Sequence, residues 1–145
     1  MFVHPQCPCT RASMEELNHL LARHHGQVSV RVMFIQPGAL TAKQMQGDLW
    51  QIAMAMPDVS AQVDINGVQA TLFGAETSGY VLLYDAHGRL LFRGGITGGR
   101  GHAGDNAGED DIDAFLGGGT PQSRQTPVYG CSLLGEPTLA GGNGK

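Results

Sequence analysis

The chain has 145 residues, of which 41% are hydrophobic and 15% charged. That is enough to bury the core of one ordinary domain without disulfide staples. A net charge of −4 leaves no basic stripe to neutralise phosphates, so nucleic acid is not an expected partner. No stretch approaches the roughly 20 apolar residues that span a bilayer, and "MFVHPQ" has neither the charged nor the apolar region of a signal peptide.

In chain order, "MFVH" reads as the end of a short buried strand. Pro8 suits a first helical position, where its missing N–H costs nothing. Met14, Leu17, Leu20 and Leu21 then recur on one face, with Gly26 as the stop. Residues 27–36, rich in β-branched side chains and closed by Pro37 and Gly38, predict a strand. Ala42, Met45, Leu49, Ile52, Ala53 and Met56 predict one helix up to Pro57. Met45, Met54 and Met56 read as core filling at helical spacing. A strand over 59–65, a turn at Asn66 and Gly67, and a short helix over 69–73 follow.

The clearest element is "GYVLLYDAHGRLLFRGGIT" (79–97), two apolar runs around the turn 85–88, which predicts an antiparallel hairpin. A glycine-rich loop then leads to a helix in "EDDIDAFLGG", whose early acids complement its N-terminus. The last third holds most of the 22 glycines and one apolar island, "VYGCSLL". That island predicts a segment (118–134) docking on the body, while 135–145 predict a disordered tail. Parallel βαβ connections followed by a hairpin imply an α/β protein with a mixed sheet.

Three cysteines cannot make a framework of paired bridges. "HPQCPCTRAS" sets Cys7 and Cys9 one residue apart between prolines, at a helix start. With Pro8 in the first helical position, Cys7 is the N-cap, and unpaired N–H groups and the helix dipole lower a thiolate's pKa there. At this spacing the Cα atoms lie about 5.5–6.5 Å apart, within disulfide range. The ring is small and stiffened by Pro8, so such a bridge is readily reduced. Equally, Cys7, Cys9 and Cys131 offer three soft ligands for Cu(I) or Zn, with His4 or His102 as a fourth. An inert buried thiol is the third reading.

Other patterns carry less. Gly99, Gly101 and Gly104 spell a formal G-x-G-x-x-G, but it follows a hairpin strand and has no acidic residue about 20 positions on. Asp105, Glu109, Asp110 and Asp111 lack calcium-loop spacing. His19, His24 and His25 sit where cationic side chains suit a helix C-terminus.

A strand running into cysteines at the first long helix, then "QATLFGAETSGYVLLYDAHGRLLFRGG", resembles the thioredoxin superfamily. More narrowly, "HPQCPCTRAS", "TSGYVLLYDAHGRLLFRGGITGGRGHAGDNAG" and "PVYGCSL" resemble the bacterial RedB-type thioredoxin-like proteins, over roughly residues 2–134. The resemblance implies a thioredoxin-like domain over 1–134, with a glycine-rich C-terminal extension. It also implies an extracytoplasmic location, with an N-terminal anchor in relatives. Two departures stand out. The family's C-x-x-C is C-x-C here, and Gly79, after Thr77 and Ser78, replaces the cis-proline that faces the cysteines and holds substrate.

The leading expectation is a thiol–disulfide oxidoreductase acting on a protein or small-molecule thiol or disulfide, with no cofactor required. In it Cys7 is the exposed attacking thiolate, Cys9 its resolving partner, and Cys131 a third thiol able to take over the bridge. Ser78 and Gly79 line the substrate side, and Arg100 and His102 are candidates to tune a thiolate or bind an anionic group. The alternative is a carrier or sensor of copper or zinc on Cys7, Cys9 and Cys131 with His4 and His102.

Overall fold

A computed structural model describes residues 1–38 and 40–134. The expected disordered tail, 135–145, lies outside them. The chain runs β1 (Phe2–Val3), α1 (Thr10–Arg23), β2 (Val30–Gln36), α2 (Ala42–Met45), α3 (Asp48–Ala55), β3 (Val59–Ile65) and α4 (Val68–Phe73). The hairpin strands β4 (Val81–Tyr84) and β5 (Leu90–Gly94) follow, and α5 (Ala107–Gly117) closes the series. This is a mixed α/β architecture. Strands β1, β2 and β3 form a parallel sheet in that order, and β4 pairs with β5 antiparallel. An antiparallel bridge, Phe2 to Tyr80, joins the two sets. A cleft of about 790 Å³ is lined by Met1, Phe2, residues 28–31 and β4 among others.

Most elements follow local chemistry. The turn into α4 needs positive φ at Asn66 and Gly67, 57° and 68°, a conformation Asn and Gly tolerate best. Asp64 at the end of β3 is buried, and its carboxylate accepts the backbone N–H groups of Gln69 and Ala70. In the hairpin turn, Asp85 accepts from the backbone of His87 and Arg89 and pairs with the Arg89 side chain. These contacts hold its carboxyl below the usual range, the Arg89 backbone bond contributing most. Asn106 caps α5 by accepting the Glu109 N–H at 2.9 Å, which satisfies a helix-start donor.

Two expectations need correction. The helix expected over 42–56 is two helices, because Gly47 adopts an extended conformation and caps α3 instead of continuing α2. Thr41 and Gln44 close a reciprocal capping box that makes α2 a self-contained turn. The first helix begins at Thr10, two residues later than the expected start at Pro8, and it ends at Arg23 before Gly26. Among the described residues, no helix is long and apolar enough to cross a membrane.

Strand β2 divides the core. Val32 and Phe34 pack with Met14, Leu17, Leu21, Leu49 and Ile112 on one side, and Phe34 meets the Trp50 ring at a centroid distance of 4.9 Å. Ile35 packs on the other side with Phe2, Ala70, Ala75 and Leu133. Leu133 belongs to the apolar island of the last third. It is fully buried, and its N–H donates to Glu76 O at 2.9 Å. Isolated bridges also join this segment to earlier parts of the chain: Thr77 with Ser132, and Gln125 with Arg93.

Leu133→Ala is expected to cost about 2–5 kcal/mol, the range for a fully buried leucine. Urea unfolding checks the loss. Faster alkylation of Cys131 in the variant checks that the segment undocks with it.

Candidate functional site

The site is built where β1 stops. After Val3 the chain turns sharply: Gln6 N–H donates to His4 Nδ1 at 3.1 Å, and Cys7 N–H to His4 O at 3.2 Å. Two further i to i+3 bonds, Thr10 N–H to Cys7 O and Arg11 N–H to Pro8 O, carry the chain into α1. Pro8 thus sits in the turn before the helix, and Cys9, not Cys7, is the N-cap. Cys7 is 0% exposed and Cys9 is half-buried, so the expectation of an exposed Cys7 thiolate at the cap does not hold. The short β1 feeds the turn directly into the core, where a small apolar side chain packs well.

Burial pushes the Cys7 thiol up. Hydrogen bonds from the Cys131 side chain, the Thr10 hydroxyl and the backbone N–H groups of Cys131 and Cys9 outweigh it, lowering the value from 9.0 to about 7. The Cys131 N–H lies 3.3 Å from the sulfur, across 124 positions of sequence. Cys131 shifts the opposite way: burial, then its bond to Cys7 and the charge there, raise it, while Arg100 opposes the rise. One sulfur carries the charge and its neighbour keeps the proton. Arg100 donates to Gly130 O at 2.7 Å and reaches Cys131 Sγ at 3.9 Å.

Ser78 and Gly79 form the facing wall. The Thr10 and Ser78 hydroxyl oxygens are 2.6 Å apart, and Ser78 Oγ also accepts the His4 N–H at 2.8 Å. Ser78 N–H donates to Cys131 O at 2.8 Å, and Gly79 N–H to Phe2 O at 2.8 Å. Gly79 has φ +99°, which proline, locked near −65°, cannot adopt. A Cβ there would stand 2.9 Å from Ser13 Oγ. Thr10 and Gly130 escaped the sequence reading. Thr10, next to Cys9, is buried and supplies a donor to the thiolate. Gly130, next to Cys131, lies so close that a Cβ would strike the Ser78 carbonyl oxygen.

The copper or zinc set is not gathered. His102 is exposed, with its N–H on Gly99 O, and the His4 ring is held within its own turn. The glycine-rich loop does approach the cysteines: a Cβ on Gly101 would lie 3.9 Å from Cys9 Cα. Among the described residues, the group of three metal-ligating side chains with ligand atoms within 4.8 Å of one another is Glu16, His19 and Glu109. Glu16 and Glu109 are both buried. Burial and the Glu16 carboxyl push Glu109 up to about 7, against the pull of Arg23. Sequence reading placed His19 on the first helix and Glu109 at the last, but not together, because 90 positions separate them.

No protein-family model and no curated protein matches the chain. Solved structures share its fold, among them two of uncharacterised function. A hypothetical protein from Sinorhizobium meliloti superposes with a TM-score of 0.70 at 21% identity, covering 94% of this chain and 78% of that one. An uncharacterised conserved protein from Geobacillus kaustophilus gives 0.72 at 20% identity, over 96% and 77%. At such identities the likeness concerns the fold alone.

Two outcomes test this geometry. Thiolate absorbance is expected to rise with a midpoint near pH 7, and Thr10→Val should move it upward by removing a donor. Cys7 is an acid whose folded value lies below its ordinary one. Its thiolate therefore contributes stability that is full above about pH 9 and is lost as pH falls through about 7. Gly130→Ala should separate Cys131 from Cys7 through the Ser78 clash. The same titration should then show a midpoint back toward 9.

Proposed function

We propose that this chain is a thioredoxin-like thiol–disulfide redox protein whose exchanging pair is Cys7 and Cys131. The observation that carries the proposal is the Cys131 N–H on the Cys7 sulfur at 3.3 Å, with the two thiols shifted in opposite directions. The C-x-C motif at the first long helix, and the order of strands and helices around it, support the same reading.

In the oxidised form Cys7 and Cys131 share a disulfide. A substrate thiolate attacks the sulfur of Cys131, the more accessible of the two. The Cys7–Cys131 bond breaks, and Cys7 leaves as a thiolate held by Thr10 and the backbone N–H groups of Cys131 and Cys9. A second substrate thiolate then attacks the substrate sulfur of the mixed disulfide. Cys131 departs and takes up a proton. The substrate ends oxidised to a disulfide, and the protein gains the two electrons as one thiolate and one thiol. A low-pKa leaving thiolate speeds the first step and stabilises the reduced form, which makes the bridge an oxidising one. Substrates are protein or small-molecule dithiols, and an extracytoplasmic compartment suits such a bridge.

This reading departs from the expected Cys7–Cys9 bridge, since Cys9 meets the Cys7 sulfur through its backbone N–H. After mild oxidation, peptide mapping is expected to find Cys7 linked to Cys131, with one free thiol on Cys9. Cys9→Ser should keep the bridge and the oxidation of a reduced peptide, and Cys131→Ser should abolish both. A Cys7–Cys9 linkage, or three free thiols after oxidation, would overturn the assignment.

A further inference from the structure

We propose that Glu16, His19 and Glu109 form a binding site for one divalent transition-metal cation, where α1 meets α5 and apart from the cysteines. Glu16 and His19 stand three positions apart on α1, so their side chains share a face. Glu109 joins them from the first turn of α5, and the ligand atoms lie within 4.8 Å of one another.

Each carboxylate has one oxygen held by a group outside the cluster. Glu16 Oε2 accepts the Gly104 N–H at 2.7 Å, which leaves Oε1 facing His19 Nδ1 at 3.4 Å. Glu109 Oε1 accepts from Arg23 at 2.9 Å, and its Oε2 is buried with no hydrogen-bond partner among the described residues. The Glu109 side chain is only 9% exposed. A buried oxygen without a donor is rare and costly. A cation removes that cost.

The spacing fits. Zinc-type bonds of about 2.0–2.2 Å in a tetrahedron put neighbouring ligands roughly 3.3–3.6 Å apart, and the Glu16–His19 separation already meets this. The Gly104 N–H and the Arg23 guanidinium act as outer partners that orient the two carboxylates. Arg23 does not depend on Glu109 alone, since Asp113 pairs with it at 2.9 Å. Two carboxylates and an imidazole suit Zn, Co, Mn or Fe(II) and are too hard for Cu(I). The His19 side chain is 52% exposed, which leaves entry from solvent and an open coordination position.

The probe is Co²⁺ added to the full-length chain, followed by visible absorption. One ion per chain is expected to bind with the bands of oxygen and nitrogen coordination and without a thiolate charge-transfer band. Glu109→Gln and His19→Ala should each weaken binding about tenfold or more, while Cys7→Ser leaves it unchanged. Circular dichroism checks folding. Should Glu109→Gln unfold, the half-exposed His19 variant decides. A thiolate-type spectrum, no binding with Co²⁺ in large excess over the protein, or an affinity unmoved in both variants would overturn the site. None of these outcomes bears on the cysteine linkage, which is read by peptide mapping.

Discussion

The arrangement of this molecule turns on one segment laid across another. Residues 131–133 run beside 76–78, joined by the Ser78 N–H on Cys131 O and the Leu133 N–H on Glu76 O. Leu133 is fully buried among Phe2, Ile35, Ala70 and Ala75. Burying one leucine contributes about 1.5–3 kcal/mol, enough to hold a segment otherwise made of glycine, proline and polar residues. With Leu133 seated, Cys131 is two residues from a fixed point, and its N–H falls on the Cys7 sulfur. Gly130 permits the approach, because no side chain fits beneath the Ser78 carbonyl.

From that placement the electrostatics follow. Burial alone would keep Cys7 neutral, since a charge in an apolar setting loses its hydration. Donors decide the outcome, and they come from three places: the turn before α1, the first residue of α1, and the docked segment. Thr10 is itself fixed by Ser78, whose hydroxyl is pinned by the His4 N–H. A thiolate served by groups from such separate parts of the chain exists only in the folded protein. Cys131 carries the complementary cost: it sits beside that charge and holds its proton more tightly.

The glycine-rich loop after the hairpin joins the two clusters of polar side chains. Its Arg100 reaches Gly130 and Cys131, and its Gly104 N–H binds Glu16. Asn106 closes the loop onto Ile96 O while capping α5. Gly101 and Gly104 adopt positive φ, 65° and 128°, so they shape the turns of the loop.

Elements set by neighbours in sequence were legible from residues alone. The hairpin, β3, the turn at Asn66 and Gly67, and the last helix each rest on periodicity or on a side chain bonding its own turn. Legibility failed where two local signals competed. Pro8 suits a helix start, yet the i to i+3 bonds after Cys7 made a separate turn, so the cap moved to Cys9. Gly47 lay inside an apolar period that implied one helix, and its extended backbone made two. That Cys7, Cys9 and Cys131 are the candidate reactive side chains was readable from their surroundings. Which two of them meet was not, because the contact between Cys7 and Cys131 spans 124 positions. The same holds for Glu16 and Glu109. Sequence by itself determined the residue types, the local elements and an apolar island able to dock. Tertiary structure decided the pairing, because only packing of Leu133 against β2 and α4 selects which distant N–H and which distant thiol reach a buried sulfur.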